Sequence, residues 1–253
     1  KMLDFGDGIP VDKVEANRHY RMAADKGQVQ ACYMYAFSCQ KGDGIPKNIS
    51  HALHYYNKGM EQDDTACIVN LGLIFEKGDG VPVNKIMAYK LYRKAAILGD
   101  PKAICYYGMC LEYGDGCDVD KVEAVRCYKT AAEKGNVIGM KLYAISLYNG
   151  DSIKQDKEEA FKYFKLGADN GDPVCMRRAG EMYLNGDGVP ANTDEAKKYL
   201  KKSADSGDVR AMMVYGNYLD TEENDMEGAS AYLKMAADTG DEDAIQLYKL
   251  FLE

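Results

Sequence analysis

The sequence predicts an all-α fold, a right-handed α-solenoid superhelix of antiparallel helix pairs with a 36-residue repeat. A Gly-Asp pair recurs at this period, with its glycine at Gly6, Gly42, Gly78, Gly114, Gly150 and Gly186. An alanine column keeps the same period: Ala16, Ala52, Ala88, Ala124, Ala160, Ala196 and, after a three-residue deletion, Ala229. A fixed period of this length is typical of solenoids, in which small units stack because none can bury its apolar face alone.

The first helix of each copy, helix A, is predicted from the residues that follow the alanine. In the first copy Tyr20 lies four residues after Ala16, and the small pair Ala23-Ala24 lies seven and eight residues after it. These offsets place the residues on one stripe of a helix over about 12–26. The bulky column continues as Tyr56, Tyr92, Tyr128, Phe164, Leu200 and Leu233.

Both ends of helix A carry capping residues. The predicted N-caps are Asp12, Asn48, Asn84, Asp120, Asp156 and Asn192. Glu15, Glu123, Glu159 and Glu195 follow three residues later and predict a capping box in four copies. The helix is predicted to end at a left-handed glycine: Gly27, Gly99, Gly135, Gly171, Gly207 or Gly240. In the second copy Asp63 replaces this glycine, so a strained or reshaped turn is expected there.

The second helix, helix B, is predicted over about 29–41 in the first copy. In six copies it starts after an acid or Asn, and Pro101 and Pro173 occupy the first helical position in two of them. Its interior carries a small column: Ala36, Gly72, Gly108, Ala144, Gly180 and Gly216. Since glycine inside a helix costs about 1 kcal/mol relative to alanine, the column predicts close helix packing. Helix B then ends at Gly-Asp-Gly, which is interpreted as a turn.

These elements predict a single solenoid domain over 1–253, with repeats starting near 12, 48, 84, 120, 156, 192 and 225. Residues 1–8 are interpreted as a partial helix B, and its Leu3 and Phe5 suggest a piece of a longer solenoid. In the seventh copy Lys249 replaces the small residue of helix B, as expected for a final helix on which nothing packs.

The repeat pattern resembles the Sel-one-like repeat (SLR), a relative of the tetratricopeptide repeat. Residues 175–207 carry the pattern clearly: Gly180, Tyr183, Gly186, Gly188, Val189, Pro190, Ala196, Tyr199, Ala204 and Gly207. The tryptophan that is frequent in this family is replaced by Tyr55, Tyr163, Tyr199 and Tyr232, or by His19, Leu91 and Cys127. The resemblance implies an adaptor that holds other proteins in a concave groove lined by helices A, in signalling, membrane-protein quality control or host–microbe contact.

Composition narrows the function classes. The net charge of −8 argues against nucleic acid as a partner, and no apolar run is long enough to cross a membrane. The eight cysteines fall in several columns, which favours buried free thiols and a cytoplasmic location over the secretory pathway or ER lumen. The lone glycosylation sequon Asn48-Ile49-Ser50 does not overturn this interpretation, because such triplets often arise by chance.

Few residue groups suggest chemistry, so the chain is predicted to be no enzyme and to need no cofactor or metal. Ser38-Cys39-Gln40-Lys41 matches the Ser-x-x-Lys motif of β-lactam-recognising enzymes, but the two companion motifs of those enzymes are missing. A β-lactam-binding or hydrolysing enzyme is therefore the last-ranked function. His51 and His54 share a helix face without obvious further ligands, which favours an ordinary exposed pair.

Helix A also carries two rows of cations. The first row is Arg18, Lys90, Arg126, Lys162 and Lys198, and it is predicted to have fewer acidic neighbours. The second row is Arg21, Arg93, Lys129, Lys165 and Lys201. Acids four residues after most of the second row predict a self-neutralised, solvated face.

An apolar patch is predicted between the core stripe and this face: Leu53, Ile86, Tyr89, Val122, Val125 and Phe161. For Leu53, Tyr89, Val125 and Phe161, packing on the adjacent repeat is the favoured interpretation. Ile86 and Val122 are less easily assigned to packing, so they are the sharper candidates for a partner site.

The leading hypothesis is a non-catalytic scaffold that binds an extended or helical peptide in the groove of helices A. The apolar patch would anchor the peptide and the first cation row would flank it. The alternative hypothesis is a structural spacer or regulatory arm of a larger protein, with self-association through Leu3 and Phe5.

Overall fold

The computed structural model describes residues 12–253, and that part of the chain contains fourteen α-helices and no strand. The helices A are α1 (Lys13–Asp25), α3 (Ile49–Met60), α5 (Lys85–Ile97), α7 (Lys121–Glu133), α9 (Lys157–Asp169), α11 (Thr193–Asp205) and α13 (Met226–Asp238). The helices B are α2 (Val29–Lys41), α4 (Thr65–Lys77), α6 (Pro101–Tyr113), α8 (Val137–Asn149), α10 (Pro173–Asn185), α12 (Val209–Thr221) and α14 (Glu242–Leu252). The predicted helical repeat is confirmed, whereas the partial helix at 1–8, with Leu3 and Phe5, lies outside the described residues.

The N-caps of helix A form as predicted, but the capping box forms only by half. Asp120 Oδ1, for example, accepts the backbone N–H of Glu123 at 2.9 Å. The backbone N–H of Asp120 is not available to the Glu123 carboxylate, because it donates to the Leu111 carbonyl of α6 at 2.9 Å. The same bond joins Asp156 to Leu147. The helix-B carbonyl therefore takes the place that the capping box assigns to the glutamate.

The turn from helix A to helix B uses left-handed backbone. The predicted glycines have φ between 86° and 91°. Asp63 takes the same left-handed conformation with φ 57°, which is the strained alternative expected from its substitution for glycine. Its carboxylate lies 2.8 Å from Lys94 Nζ of α5.

The alanine and bulky columns form the core. All seven alanines are buried, and Tyr56, Tyr92 and Tyr128 are among the largest fully buried side chains. The small column of helix B explains how they fit, because a methyl group at Gly72 would overlap the Tyr92 ring. At Gly108 it would lie 2.9 Å from Tyr128 Cε1. The predicted close packing is confirmed.

Each Gly-Asp-Gly turn packs on the first turn of the preceding helix A. A methyl group at Gly116, the second glycine of one turn, would collide with the Lys85 carbonyl. The aspartate of the turn pairs with a lysine near the start of a helix A: Lys13–Asp43 2.8 Å, Lys47–Asp79 2.7 Å, Lys85–Asp115 2.6 Å and Lys157–Asp187 2.8 Å. This ion pair was not predicted from the sequence, although Lys13, Lys85 and Lys157 share a column.

The contacts divide the chain into two compact units, of which the first ends at Thr130 and the second runs from Ala131 to Glu253. The boundary falls inside α7. A single solenoid domain over 1–253 stays a prediction. Along residues 12–253, none of the helices combines the length and apolar character needed to span a bilayer.

Candidate functional site

The apolar patch predicted on helix A separates into a packed row and an exposed pair. Val125 and Phe161 are only 8% and 9% exposed, and the Phe161 ring lies 4.9 Å from that of Tyr183. Leu53 and Tyr89 are half-buried against the core. This row packs between helices, as favoured, so Val125 and Phe161 offer little surface to a partner.

The exposed pair is Ile86 and Val122, whose side chains are 58% and 50% exposed. Each occupies the second position of its helix, α5 or α7, and Val83 and Val119 in the preceding turns are exposed as well. Apolar side chains thus gather at the start of these two helices. Exposed apolar surface of this kind is typical of a partner site.

The first cation row has more acidic neighbours than predicted, so that prediction is wrong for three of its five members. They pair with the acid three residues earlier: Arg18–Glu15 at 3.0 Å, Arg126–Glu123 at 3.1 Å and Lys198–Glu195 at 3.1 Å. Glu123 and Glu195 are available because the backbone N–H groups of Asp120 and Asn192, which they would cap, donate to the Leu111 and Tyr183 carbonyls of helices B. Lys90 and Lys162 have no ion pair within residues 12–253.

Two members of the second cation row have the acidic partner predicted four residues later. Arg21 lies 4.0 Å from Asp25, and Lys165 lies 3.1 Å from Asp169. The same acids have a second role that the sequence analysis missed. The Asp25 carboxylate accepts the Tyr55 hydroxyl of the next helix A at 2.6 Å. Such a tyrosine–acid bridge also joins Tyr199 to Asp169 at 3.4 Å and Tyr232 to Asp205 at 2.8 Å. The signal was a tyrosine at the usual tryptophan position, thirty residues after an acid in the regular copies.

Three successive junctions between helices A lack this bridge in the described part of the chain. The pair of residues at the bridge positions reads Glu61 and Leu91 between α3 and α5, and Ile97 and Cys127 between α5 and α7. At the third junction Glu133 and Tyr163 are both present, but no hydrogen bond joins them. Each of these junctions contains an open groove.

Groove 1, between the end of α3 and α5, has a volume of about 510 Å³, and its lining includes Asp63, Lys90, Arg93, Lys94, Ile97 and Leu98. Groove 2, between α5, α6 and α7, has about 360 Å³, and its lining includes Arg93, Ile97, Ile104, Tyr107, Arg126 and Cys127. Groove 3 lies in the second unit and has about 460 Å³, and its lining includes Glu133, Asp156, Glu158, Glu159, Lys162 and Tyr163.

The grooves differ in charge. Cations predominate in the linings of grooves 1 and 2, whereas carboxylates predominate in groove 3, where Lys162 is the cation. All three grooves combine charged rims with apolar or aromatic walls. This combination is typical of surfaces that bind protein segments.

The residues that suggested chemistry are not assembled for it. Lys41 Nζ lies over the Phe37 ring at 5.9 Å, while Ser38 is buried in α2. His51 and His54 are exposed, and no cluster of three metal-binding side chains occurs within the described part of the chain.

The eight cysteines are free, and all except the half-buried Cys117 are buried. Burial raises the pKa of the Cys110 and Cys127 thiols to about 12. These thiols are therefore protonated at neutral pH, which makes them poor nucleophiles.

Comparison with known proteins gives the family. The Sel1 repeat profile matches residues 1–28, 29–64, 65–100, 101–136, 138–172 and 173–208. After the first match, each unit pairs a helix B with the helix A that follows the Gly-Asp turn. No curated protein sequence matches at a significant level.

Solved structures show the same fold. A protective antigen of uropathogenic Escherichia coli displaying an SLR fold is 25% identical, with a TM-score of 0.84 over 96% of this chain and 53% of the antigen. This chain thus spans about half the length of that structure. A Sel1 repeat protein from Oxalobacter formigenes is 28% identical, with a TM-score of 0.75 over 90% of this chain and 97% of that protein. An immunity protein from Pseudomonas aeruginosa, 19% identical with a TM-score of 0.52 over 88% of this chain and 82% of its own, shares the fold alone.

The matched repeats cover well over half of the chain, and the structures confirm the all-α solenoid fold with its 36-residue repeat. Such repeats generally mediate protein–protein interactions and are typically not catalytic. The chain belongs to the Sel1 repeat family.

Proposed function

We propose that this protein is a non-catalytic scaffold or adaptor that binds a peptide or protein segment on the face of helices A. The observation that carries the proposal is the set of three open grooves between successive helices A, at the junctions where the tyrosine–acid bridge is missing. The family's general role in protein interactions supports it.

The proposed anchors are Ile86 and Val122, because they are the exposed members of the apolar patch. The first cation row would flank the bound segment. Lys90 and Lys162 have no ion pair within the described residues, and Arg18, Arg126 and Lys198 have only exposed pairs. Since an exposed ion pair contributes about 0–1 kcal/mol, an acidic partner can replace the intramolecular carboxylate at little cost.

The free, buried cysteines support the cytoplasm as the location of this scaffold. The proposed partner is a protein or peptide, with no nucleic acid, cofactor or metal. Under the alternative of a spacer or regulatory arm, the face of helices A would bind nothing.

The test is affinity capture from a lysate of the source cell with the intact chain and the double variant Ile86→Asp/Val122→Asp. The control is Tyr113→Asp, which places one carboxylate on an exposed residue of helix B. We expect the double variant to lose partners that the control retains, because a carboxylate removes the apolar anchor.

A partner list that is unchanged by the double variant, with both variants folded by circular dichroism, would contradict the proposed anchors. The proposal that the protein is not catalytic is tested separately with a chromogenic β-lactam. Hydrolysis by the intact chain that disappears in Ser38→Ala would overturn it.

A further inference from the structure

The last turn of α5 differs from the last turn of every other helix A. Ile97 occupies a position where the other six copies carry an acid: Asp25, Glu61, Glu133, Asp169, Asp205 and Asp238. Leu98 occupies a position where they carry a polar residue: Lys26, Gln62, Lys134, Asn170, Ser206 and Thr239. The Ile97 and Leu98 side chains are 74% and 44% exposed. One repeat has therefore exchanged its polar helix end for an exposed apolar pair.

The same exchange removes the carboxylate that the repeat normally places opposite the second cation row. In α1 and α9 the cation at this position lies next to an acid four residues later, as in Arg21–Asp25 and Lys165–Asp169. In α5 the residue four positions after Arg93 is Ile97. Arg93 has no ion pair within residues 12–253, and neither has Lys90 one turn earlier.

The tertiary structure places this apolar pair and the unpaired cations at two cavities. Arg93 and Ile97 line both groove 1 and groove 2, one on each side of α5. At groove 2, Ile97 and Cys127 occupy the positions where a carboxylate and a tyrosine bridge other junctions. Volumes of about 510 and 360 Å³ are in the range of pockets that bind ligands in proteins.

The charge around these two grooves is opposite in sign to that of the whole chain. Lys90, Arg93, Lys94 and Arg126 line them, against the carboxylates of Asp63 and Glu123. Asp63 pairs with Lys94 and Glu123 pairs with Arg126, so no carboxylate of the groove linings neutralises Lys90 and Arg93. In a chain with a net charge of −8, this is a local excess of positive charge beside apolar surface.

We propose that grooves 1 and 2 bind an acidic segment of another protein in which an apolar side chain lies next to carboxylates. The proposal rests on the proposed scaffold function and names its partner class. An apolar side chain would enter a groove against Ile97, and a carboxylate would bind Arg93, whose planar guanidinium can donate two parallel hydrogen bonds. Lys90 would hold a second carboxylate on the side of groove 1.

A free phosphate or a nucleic acid matches this surface less well. Neither has an aliphatic group to cover Ile97 and Leu98, and the net negative charge of the chain repels a long polyanion. A carboxylate-bearing apolar segment matches both features at once. Exclusion of water by Ile97 and Leu98 would strengthen its ion pair with Arg93.

The experiment starts with selection from a displayed library of random twelve-residue peptides on the intact chain. We expect the enriched peptides to carry Asp or Glu within two residues of Leu, Ile or Phe. The affinity of one enriched, fluorescein-labelled peptide is then measured by fluorescence polarisation for the intact chain and its variants. Enrichment of peptides without acidic residues would overturn the proposal.

The decisive variant is Ile97→Asp, which restores the acid of the other copies and gives Arg93 an intramolecular partner. We expect it to fold and to bind the peptide at least about tenfold more weakly, a loss of about 1.4 kcal/mol. Arg93→Glu should give a similar loss. The matched controls are Ile97→Leu, which keeps the apolar surface, and Lys201→Glu, which reverses the charge at the same helix position of α11. Both controls should bind within about twofold of the intact chain, a difference of less than 0.5 kcal/mol.

Two further outcomes would show that grooves 1 and 2 bind something other than an acidic apolar segment. If sedimentation equilibrium shows an oligomer of the intact chain that Ile97→Asp dissociates, a second copy is the occupant and the proposal is wrong. If inorganic phosphate or a single-stranded oligonucleotide binds with the same dependence on Arg93 and Ile97, the proposed specificity for an acidic apolar segment is wrong.

Failure of this inference can be told apart from failure of the scaffold function. If the selected peptides bind and only Ile86→Asp/Val122→Asp abolishes binding, the scaffold function stands and the assignment to grooves 1 and 2 fails. If no peptide is enriched and the intact chain captures no partner, both proposals fail.

Discussion

At the residue scale, the packing of this protein depends on pairing a small residue of helix B with a large residue of the next helix A. Methyl groups at Gly180 and Gly216 would lie 2.8 Å from the Cγ atoms of Leu200 and Leu233, respectively, and one at Gly72 would overlap the Tyr92 ring. In these three copies the two helices approach so closely that no methyl group fits between them. The volume of the large residue is compensated by the missing side chain.

Gly72→Ala is therefore expected to destabilise the protein although alanine is the better helix former. The clash with the buried Tyr92 ring should outweigh the gain in helix propensity and lower the free energy of unfolding by about 1–3 kcal/mol. Urea unfolding followed by circular dichroism measures the change. Lys249→Ala, at the same helix position of α14 but exposed, should change it by less than about 0.5 kcal/mol. A stabilised Gly72→Ala protein would contradict this account of the column.

At the element scale, consecutive helices A are joined where a tyrosine hydroxyl reaches the acid at the end of the preceding helix. The Tyr55 hydroxyl donates to Asp25 at 2.6 Å and that of Tyr232 donates to Asp205 at 2.8 Å. The pKa of both tyrosines is raised to about 12, mainly by burial and secondly by this hydrogen bond. Within the described residues, no such bond joins the helices at the three junctions that contain grooves 1, 2 and 3.

Tyr55→Phe tests the bridge, since it removes one hydroxyl and leaves the ring. We expect the free energy of unfolding to fall by about 1 kcal/mol, the usual net contribution of such a hydrogen bond. Tyr163→Phe is the matched control, because its hydroxyl has no hydrogen bond within the described residues and its removal should cost almost nothing. Equal losses for the two variants in urea unfolding would mean that the bridge does not stabilise the junction.

At the scale of the whole molecule, the twenty tyrosines give the protein a characteristic response to alkali. Burial raises the pKa of Tyr107 and Tyr143 to about 12, and it raises the pKa of Tyr56, Tyr92 and Tyr128 further. An unfolded tyrosine titrates near pH 10. Because the folded pKa values lie above the unfolded value, the tyrosines favour the folded state while they are neutral.

The expected result is full stability below about pH 10 and a progressive loss as the pH rises toward about 12. The unfolded chain releases its tyrosine protons over this interval while the folded chain retains them, so the equilibrium moves toward unfolding. Urea unfolding at several pH values, together with tyrosinate absorbance, measures both events. Tyrosinate absorbance that develops fully near pH 10 in a protein that stays folded would contradict the raised pKa values.

Most of the elements could be predicted from the sequence because their signals are local and repeated seven times. The N-caps, the left-handed glycines and the core columns each depend on residues within one or two turns. The prediction of a capping box was right for the N-cap side chain and wrong for the glutamate, because the Asp120 N–H donates to the Leu111 carbonyl of another helix. The pairing of Arg126 with Glu123 was visible in the spacing of three residues and was missed.

The sequence by itself determined the repeat, the helices and the family resemblance, since a period fixes the position of every residue around its helix. The tertiary structure decided which boundary positions remain exposed, because that depends on the side chains that the neighbouring helix brings to them. Val125 is covered, whereas Val122, one turn away, is not. Arg93 and Ile97 line two grooves, and at one of them Cys127 stands where other junctions place a tyrosine. This juxtaposition of residues thirty positions apart exists only after the helices stack.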